Sequence, residues 1–189
     1  MSNGIILRST PYKENDLILT ILSESLGKLS AYQRAAKRGK SSTCELFDCG
    51  RFELKPNARG LSRLSHFLPR NSFPGLRRSL ESITAASFTC EVFDFIIPEQ
   101  DEADASAMYQ LLYQGLTDIA QAPDARQLLR VVFSSAKDLL THAGLLDGND
   151  SLAPSSKNLH SLIGIVENFS ERRLKSSSTI FELIQQLKA

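Results

Sequence analysis

The sequence predicts an α+β protein in which a small β-barrel or sandwich precedes an all-helical region. Three observations carry this. Through about residue 70, short apolar runs alternate at strand period between turn-forming residues. At Ser72-Phe73-Pro74-Gly75 the texture changes, and from Leu80 onward apolar residues recur at helical spacing. Residues 1–78 are therefore expected to form one domain and residues 79–189 a second.

In the first strand Ile5 and Leu7 alternate with Ile6 and Arg8, and Ser9 through Asp16 reads as a turn-rich stretch. A second run, Leu17-Ile18-Leu19-Thr20-Ile21-Leu22, ends at Ser23-Glu24-Ser25-Leu26-Gly27-Lys28. Gly27 supplies the positive φ of a hairpin connection, so Leu29-Ser30-Ala31-Tyr32 should return antiparallel. Gly39-Lys40-Ser41-Ser42 then breaks the pattern. Leu46-Phe47 through Phe52-Glu53-Leu54 forms a fourth strand, closed by Pro56-Asn57, and Leu61, Leu64, Phe67 and Leu68 mark the last.

The first helix carries Leu80, Ile83, Ser87, Cys90 and Phe93 on one stripe, with Phe88, Val92, Phe95, Ile96 and Ile97 around it. A helix apolar on most sides is a buried, central one, and this one stops near Pro98. Met108, Leu111, Leu112, Gly115 and Ile119 form a second stripe; Leu128, Val132, Ser135 and Leu139 a third; Leu159, Leu162, Ile163 and Val166 a fourth. Thr179 with Glu182 fits a capping box opening a last helix with Phe181, Ile184 and Leu187. Gly144 to Ser156 is a loop rich in Gly, Asn, Asp, Ser and Pro.

The formal charge of +1 conceals an asymmetry: residues 1–80 carry a net +8 and residues 81–189 a net −7. A basic first region suits a polyanion, whereas an acidic helical region suits protein contacts. No apolar run approaches the roughly 18–20 residues of a membrane span. The N-terminus passes straight into a strand, with no signal peptide expected. Cys44, Cys49 and Cys90 are too sparse for a disulfide framework and suit a reducing cytoplasm.

Catalytic patterns are not evident. His66, His142 and His160 are scattered, and none has a partner at zinc-ligand spacing. Gly39-Lys40-Ser41 lacks the glycine five positions earlier that a phosphate-binding loop needs, since that residue is Arg34. No enzyme activity, metal or cofactor is expected.

The densest charge lies in Tyr32-Gln33-Arg34-Ala35-Ala36-Lys37-Arg38-Gly39-Lys40. Arg34, Lys37, Arg38 and Lys40 could contact phosphates while Tyr32 stacks a base; the same cations could equally guard a strand edge. Basic charge continues at Arg51, Lys55, Arg59, Arg63, Arg70, Arg77 and Arg78, which would extend such a track wherever they share the barrel face.

Gly4-Ile5-Ile6-Leu7-Arg8-Ser9, Pro11-Tyr12 with Glu14, Asp16-Leu17-Ile18-Leu19-Thr20, Gly27-Lys28-Leu29-Ser30, the Arg34–Lys40 cluster and Ser72-Phe73-Pro74-Gly75-Leu76-Arg77 follow one another in a distinctive order. In that order and spacing they resemble the RecO family of bacterial DNA repair and recombination mediators, with an echo at Leu174-Lys175-Ser176-Ser177. The resemblance covers residues 4–97 well and the remainder loosely. It implies an N-terminal OB-fold and a helical domain, with Arg34, Lys37, Arg38 and Lys40 as the favoured phosphate contacts and Arg8 and Arg63 as additions. It also implies a non-enzymatic, cytoplasmic, nucleoid-associated mediator that binds single- and double-stranded DNA and anneals strands coated by single-strand-binding protein. RecR and the acidic C-terminal tail of single-strand-binding protein are the implied partners, and recombinase loading the implied outcome; a degenerate adaptor that binds DNA weakly is the alternative. Many relatives carry a four-cysteine zinc module, for which Gly144–Asn158 offers no cysteine, so a short form without it is expected. For the protein tail, Arg126 and Arg130 are the expected carboxylate partners, with Phe133 and nearby apolar side chains forming the pocket.

Overall fold

Strand-period alternation closes into a five-stranded barrel in the computed structural model, which describes residues 1–34, 44–58, 60–71, 73–148 and 152–186. The strands are β1 (Ser2–Tyr12), β2 (Asp16–Ser23), β3 (Gly27–Gln33), β4 (Cys49–Lys55) and β5 (Ser62–Asn71). Their order around the barrel is β1-β2-β3-β5-β4, an OB-like closure, and every pair is antiparallel except β3 with β5. Alternate residues turn inward: Ile6, Leu17, Leu19, Ile21, Ala31, Phe52, Leu64 and Phe67 fill the interior with Cys44.

Helices follow: α1 (Leu80–Ile96), α2 (Ala105–Gln121), α3 (Ala125–His142), α4 (Ser156–Ser170) and α5 (Ser177–Gln186). Contacts sort the chain into two units: Met1–Phe73 with Ile97–Gln110, and Pro74–Ile96 with Leu111–Ala189. In the second unit α1 packs against α3, α4 and α5, as the apolar girth of its sequence demands.

Four local differences from the sequence reading have physical causes. Ser9–Tyr12 is strand, paired with β2 as far as Tyr12↔Asp16, and the turn shrinks to Lys13-Glu14-Asn15. Pro11 is accommodated because only alternate residues of an antiparallel pair exchange hydrogen bonds. Leu46-Phe47 lies in a turn, with Phe47 at φ 73°, and β4 begins only at Cys49. On α1 the buried residues are Ser82, Thr84, Ala85, Ala86, Phe88, Thr89, Cys90, Val92, Phe93, Asp94 and Ile96, while Leu80 and Ile83 are exposed. Thr179 is no cap, because α5 starts at Ser177. Glu91 of α1 instead accepts from the backbone N–H groups of Lys175 and Ser176, each at 2.9 Å, and from the Ser176 hydroxyl. A long-range carboxylate thus does what the capping box was expected to do.

Segment Ile97–Gln110, which follows α1 in the chain and includes the start of α2, belongs with the barrel. Glu99 bridges Lys28 in parallel, Gln100 N–H donates to the Lys28 carbonyl at 2.8 Å, and Ser30 donates to the Glu99 carboxylate at 3.1 Å. Gly27 permits this approach: its φ is +67°, and a Cβ there would lie 2.1 Å from the Asp101 carbonyl oxygen.

Candidate functional site

Register places a polar and aromatic strip on the outer face of the barrel. On β3, Ala31 faces inward, so Tyr32 faces out beside Ile18 of β2, which in turn pairs with Thr10 of β1. Across the parallel β3–β5 seam Tyr32 is the register partner of Arg63, itself exposed and opposite Lys55 of β4. Arg8 is exposed on β1, opposite Thr20, to whose hydroxyl it donates at 3.3 Å. Arg34, exposed, follows the end of β3. Tyr32 and Arg63 are thereby register partners on adjacent strands, Arg34 follows directly on β3, and Arg8 lies on β1, one strand beyond β2. Lys37, Arg38 and Lys40 lie outside the described residues.

Tyr32 is anchored rather than free. Its hydroxyl donates to Asp16 at 2.6 Å, and that bond, with the nearby carboxylate charge, holds its pKa above the ordinary tyrosine value. Tyr12 meets it edge to face, with ring centroids 6.0 Å apart and planes at 86°. Tyr12 itself is 43% exposed, and the Lys13 ammonium lies 5.3 Å from its ring centroid. Reading Ser9–Asp16 as a turn hid this residue. Extending the β1 strand through it would have placed Tyr12 on the same face as Arg8.

The carboxylates of Ile97–Gln110 change the charge balance. With Glu99, Asp101, Glu102 and Asp104 included, the barrel unit holds 12 Lys+Arg and 10 Asp+Glu, a net +2, and the second unit a net −1. Glu99 sits at Lys28, four residues from Tyr32 and so roughly 13 Å along the strand. Charge is therefore separated along β3 within one unit.

In the second unit, Arg126, Arg130 and Phe133 line one groove of about 240 Å³. They recur at helical spacing on α3, whose start is fixed by Asp124 accepting from Gln127 N–H at 2.8 Å. Phe133 is buried, with Leu159 and Ile184 forming the apolar floor, while both guanidinium side chains are exposed. Sequence reasoning missed the opposite wall, Pro154-Ser155-Ser156. Ser155 caps α4 by accepting from Asn158 N–H at 3.1 Å, so the positive end of that helix dipole borders the groove. Two arginines, a helix N-terminus and an apolar floor suit a short apolar peptide bearing carboxylates.

All three cysteines are free and buried. Burial pushes the Cys44 thiol up to about 12, and raises Cys49 and Cys90 as well. Among the described residues no group of three or more His, Cys, Asp or Glu could hold a metal, and no helix is long and apolar enough to cross a membrane.

Two family models match the chain: recombination protein O N terminal over residues 1–73, and recombination protein O C terminal over residues 77–144. Among curated relatives, the DNA repair protein RecO of Clostridium perfringens is 37% identical over 103 residues, covering 53% of this chain and 42% of that protein. The protein of the same name from Listeria monocytogenes is 28% identical over 131 residues, 68% of this chain and 50% of the relative. That of an Exiguobacterium species is 26% identical over 148 residues, 77% and 58% respectively. The chain spans about half the length of the curated relatives it matches.

Proposed function

The chain belongs to the recombination protein O family, and from that premise we propose that it acts in DNA repair as a DNA-binding recombination mediator. The observation that carries the proposal is the outer barrel face, which bears Arg8 and Tyr12 on β1, Tyr32 on β3 and Arg63 on β5, with Arg34 just past the end of β3. Cations there neutralise phosphates while aromatic rings receive bases, the combination by which barrels of this kind hold single strands. Lys37, Arg38 and Lys40, which follow Arg34 in the sequence and lie outside the described residues, are the further phosphate contacts of this reading. The groove at Arg126, Arg130 and Phe133 receives the acidic C-terminal tail of single-strand-binding protein. In this reading the protein brings coated strands together for annealing and, with RecR, hands single strands to the recombinase. It works in the cytoplasm at the nucleoid, without a catalytic step of its own.

A second reading has its own support. The barrel unit's net charge of only +2 is modest for a polyanion binder, which favours an adaptor that keeps partner contacts and holds DNA weakly.

Anisotropy titrations of labelled single-stranded DNA at several salt concentrations, followed by strand annealing, separate the two. Replacing Arg8, Arg34 and Arg63 with Ala should weaken binding and flatten the salt dependence by about 0.7 per lost phosphate contact. Unchanged affinity and slope refute the assignment of this face. Binding without annealing identifies the adaptor, and no binding at low salt removes the mediator reading.

A further inference from the structure

We propose that Tyr12 is the base-stacking residue of the barrel, an exposed ring held by Tyr32 and flanked by Lys13. The proposal rests on the reading of the barrel as a single-strand binder and deepens it by naming the moiety recognised, an unpaired nucleobase. Tyr32, the obvious aromatic in the sequence, is ill placed to take a base, because its hydroxyl is tied to Asp16 and its ring is engaged with Tyr12. Tyr12 shares that ring contact but differs in its hydroxyl and its exposure. It ends β1 with 43% of its surface open, and its hydroxyl carries no described bond to Asp16, which Tyr32 occupies.

The geometry around Tyr12 is that of a prepared platform. The edge-to-face contact at 6.0 Å and 86° restricts the ring, so stacking on it costs little further ordering. Lys13, held at φ 53°, already places its ammonium over the ring at 5.3 Å. A cation at an exposed ring binds more weakly than a stacked base, so an incoming base displaces the ammonium toward the adjoining phosphate. Arg34 adds a second cation close enough to Tyr32 to influence its hydroxyl electrostatically. Tyr32 is thus a positioning residue, and Asp16 is the post that fixes it.

The chain contains no tryptophan, which makes Tyr12→Trp a single-site reporter. Its emission should be quenched by a 20-mer of deoxythymidine and not by an abasic strand of equal length. Tyr12→Ala should weaken binding of the 20-mer by roughly tenfold, the scale of one lost stack, while leaving the salt slope intact because no phosphate contact is lost. Tyr12→Phe should bind like the parent, and duplex affinity should not respond to any of the three. If the labelled 20-mer binds but Tyr12→Trp emission is unmoved and Tyr12→Ala binds normally, the stacking role is overturned while the barrel remains a DNA-binding face. A lowered salt slope in Tyr12→Ala would overturn it too, since the residue would then be supporting a cation. If the parent binds no 20-mer at low salt, both readings fall together.

Discussion

Removing the Glu91 carboxylate tests how α5 is held. In the structure this side chain accepts three hydrogen bonds from Lys175 and Ser176, the two residues that lead into α5, two of them from backbone N–H groups. The bonds are charge-assisted, each of a kind worth about 1.5–3 kcal/mol when sheltered. Here the site is only partly buried and water can replace part of what is lost, which lowers the expected total. Glu91→Ala should therefore cost about 2 kcal/mol, the upper end for loss of an N-cap, and Glu91→Gln, which keeps an acceptor but no charge, about 1 kcal/mol. For a unit of some 100 residues, 2 kcal/mol corresponds to roughly a 10 °C fall in melting temperature. Urea denaturation followed by circular dichroism measures it, helical signal reporting chiefly on the second unit. Thr179→Ala is the control: as a residue inside the helix it should change stability by less than about 0.5 kcal/mol. If Glu91→Ala were neutral and Thr179→Ala costly, the local capping box would be the true start of α5 and the reasoning above would be wrong.

Two further expectations concern the barrel unit. Gly27→Ala combines an unfavourable φ of +67° with a Cβ 2.1 Å from the Asp101 carbonyl oxygen; it should destabilise by about 2 kcal/mol or more, and amide exchange should show Ile97–Gln110 losing protection first. The second is a pH dependence. Burial raises the Cys44 thiol from 9.0 to about 12, so the fold favours the neutral form. That contribution is complete below pH 9 and is lost as pH rises toward 12. The denaturation midpoint should fall across this window, less steeply in Cys44→Ala. An equal slope in the variant would show that the thiol is not responsible.

Much of the barrel was legible because period-two alternation and Gly27 are local signals. Leu17, Leu19 and Ile21 share one face of the run and enter the barrel core together, although Leu22 on the other face is buried as well. The extent of β1 was not legible, since Pro11 and Asn15 promise a turn wherever no partner strand is known. On α1, Leu80 and Ile83 satisfy helical spacing as well as Phe88 and Phe93 do, and which of them is covered depends on helices far along the chain. The arginines at positions 126 and 130 were readable as one helix face. Their companion wall, Pro154-Ser155-Ser156, comes from a loop whose return to that face has no local signature.

The sequence alone determined the element types, the shift from strands to helices near residue 73, and the residue order that resembles a known family. These follow from short-range periodicity and backbone preference, which each segment carries within itself. Tertiary structure decided the rest. It placed Tyr32 beside Arg63 through β3–β5 pairing, gave Glu91 to the start of α5, and brought four carboxylates to the barrel. The apparent division into a +8 barrel and a −7 helical region became +2 and −1, because charge follows the segments that pack together and not their order in the chain.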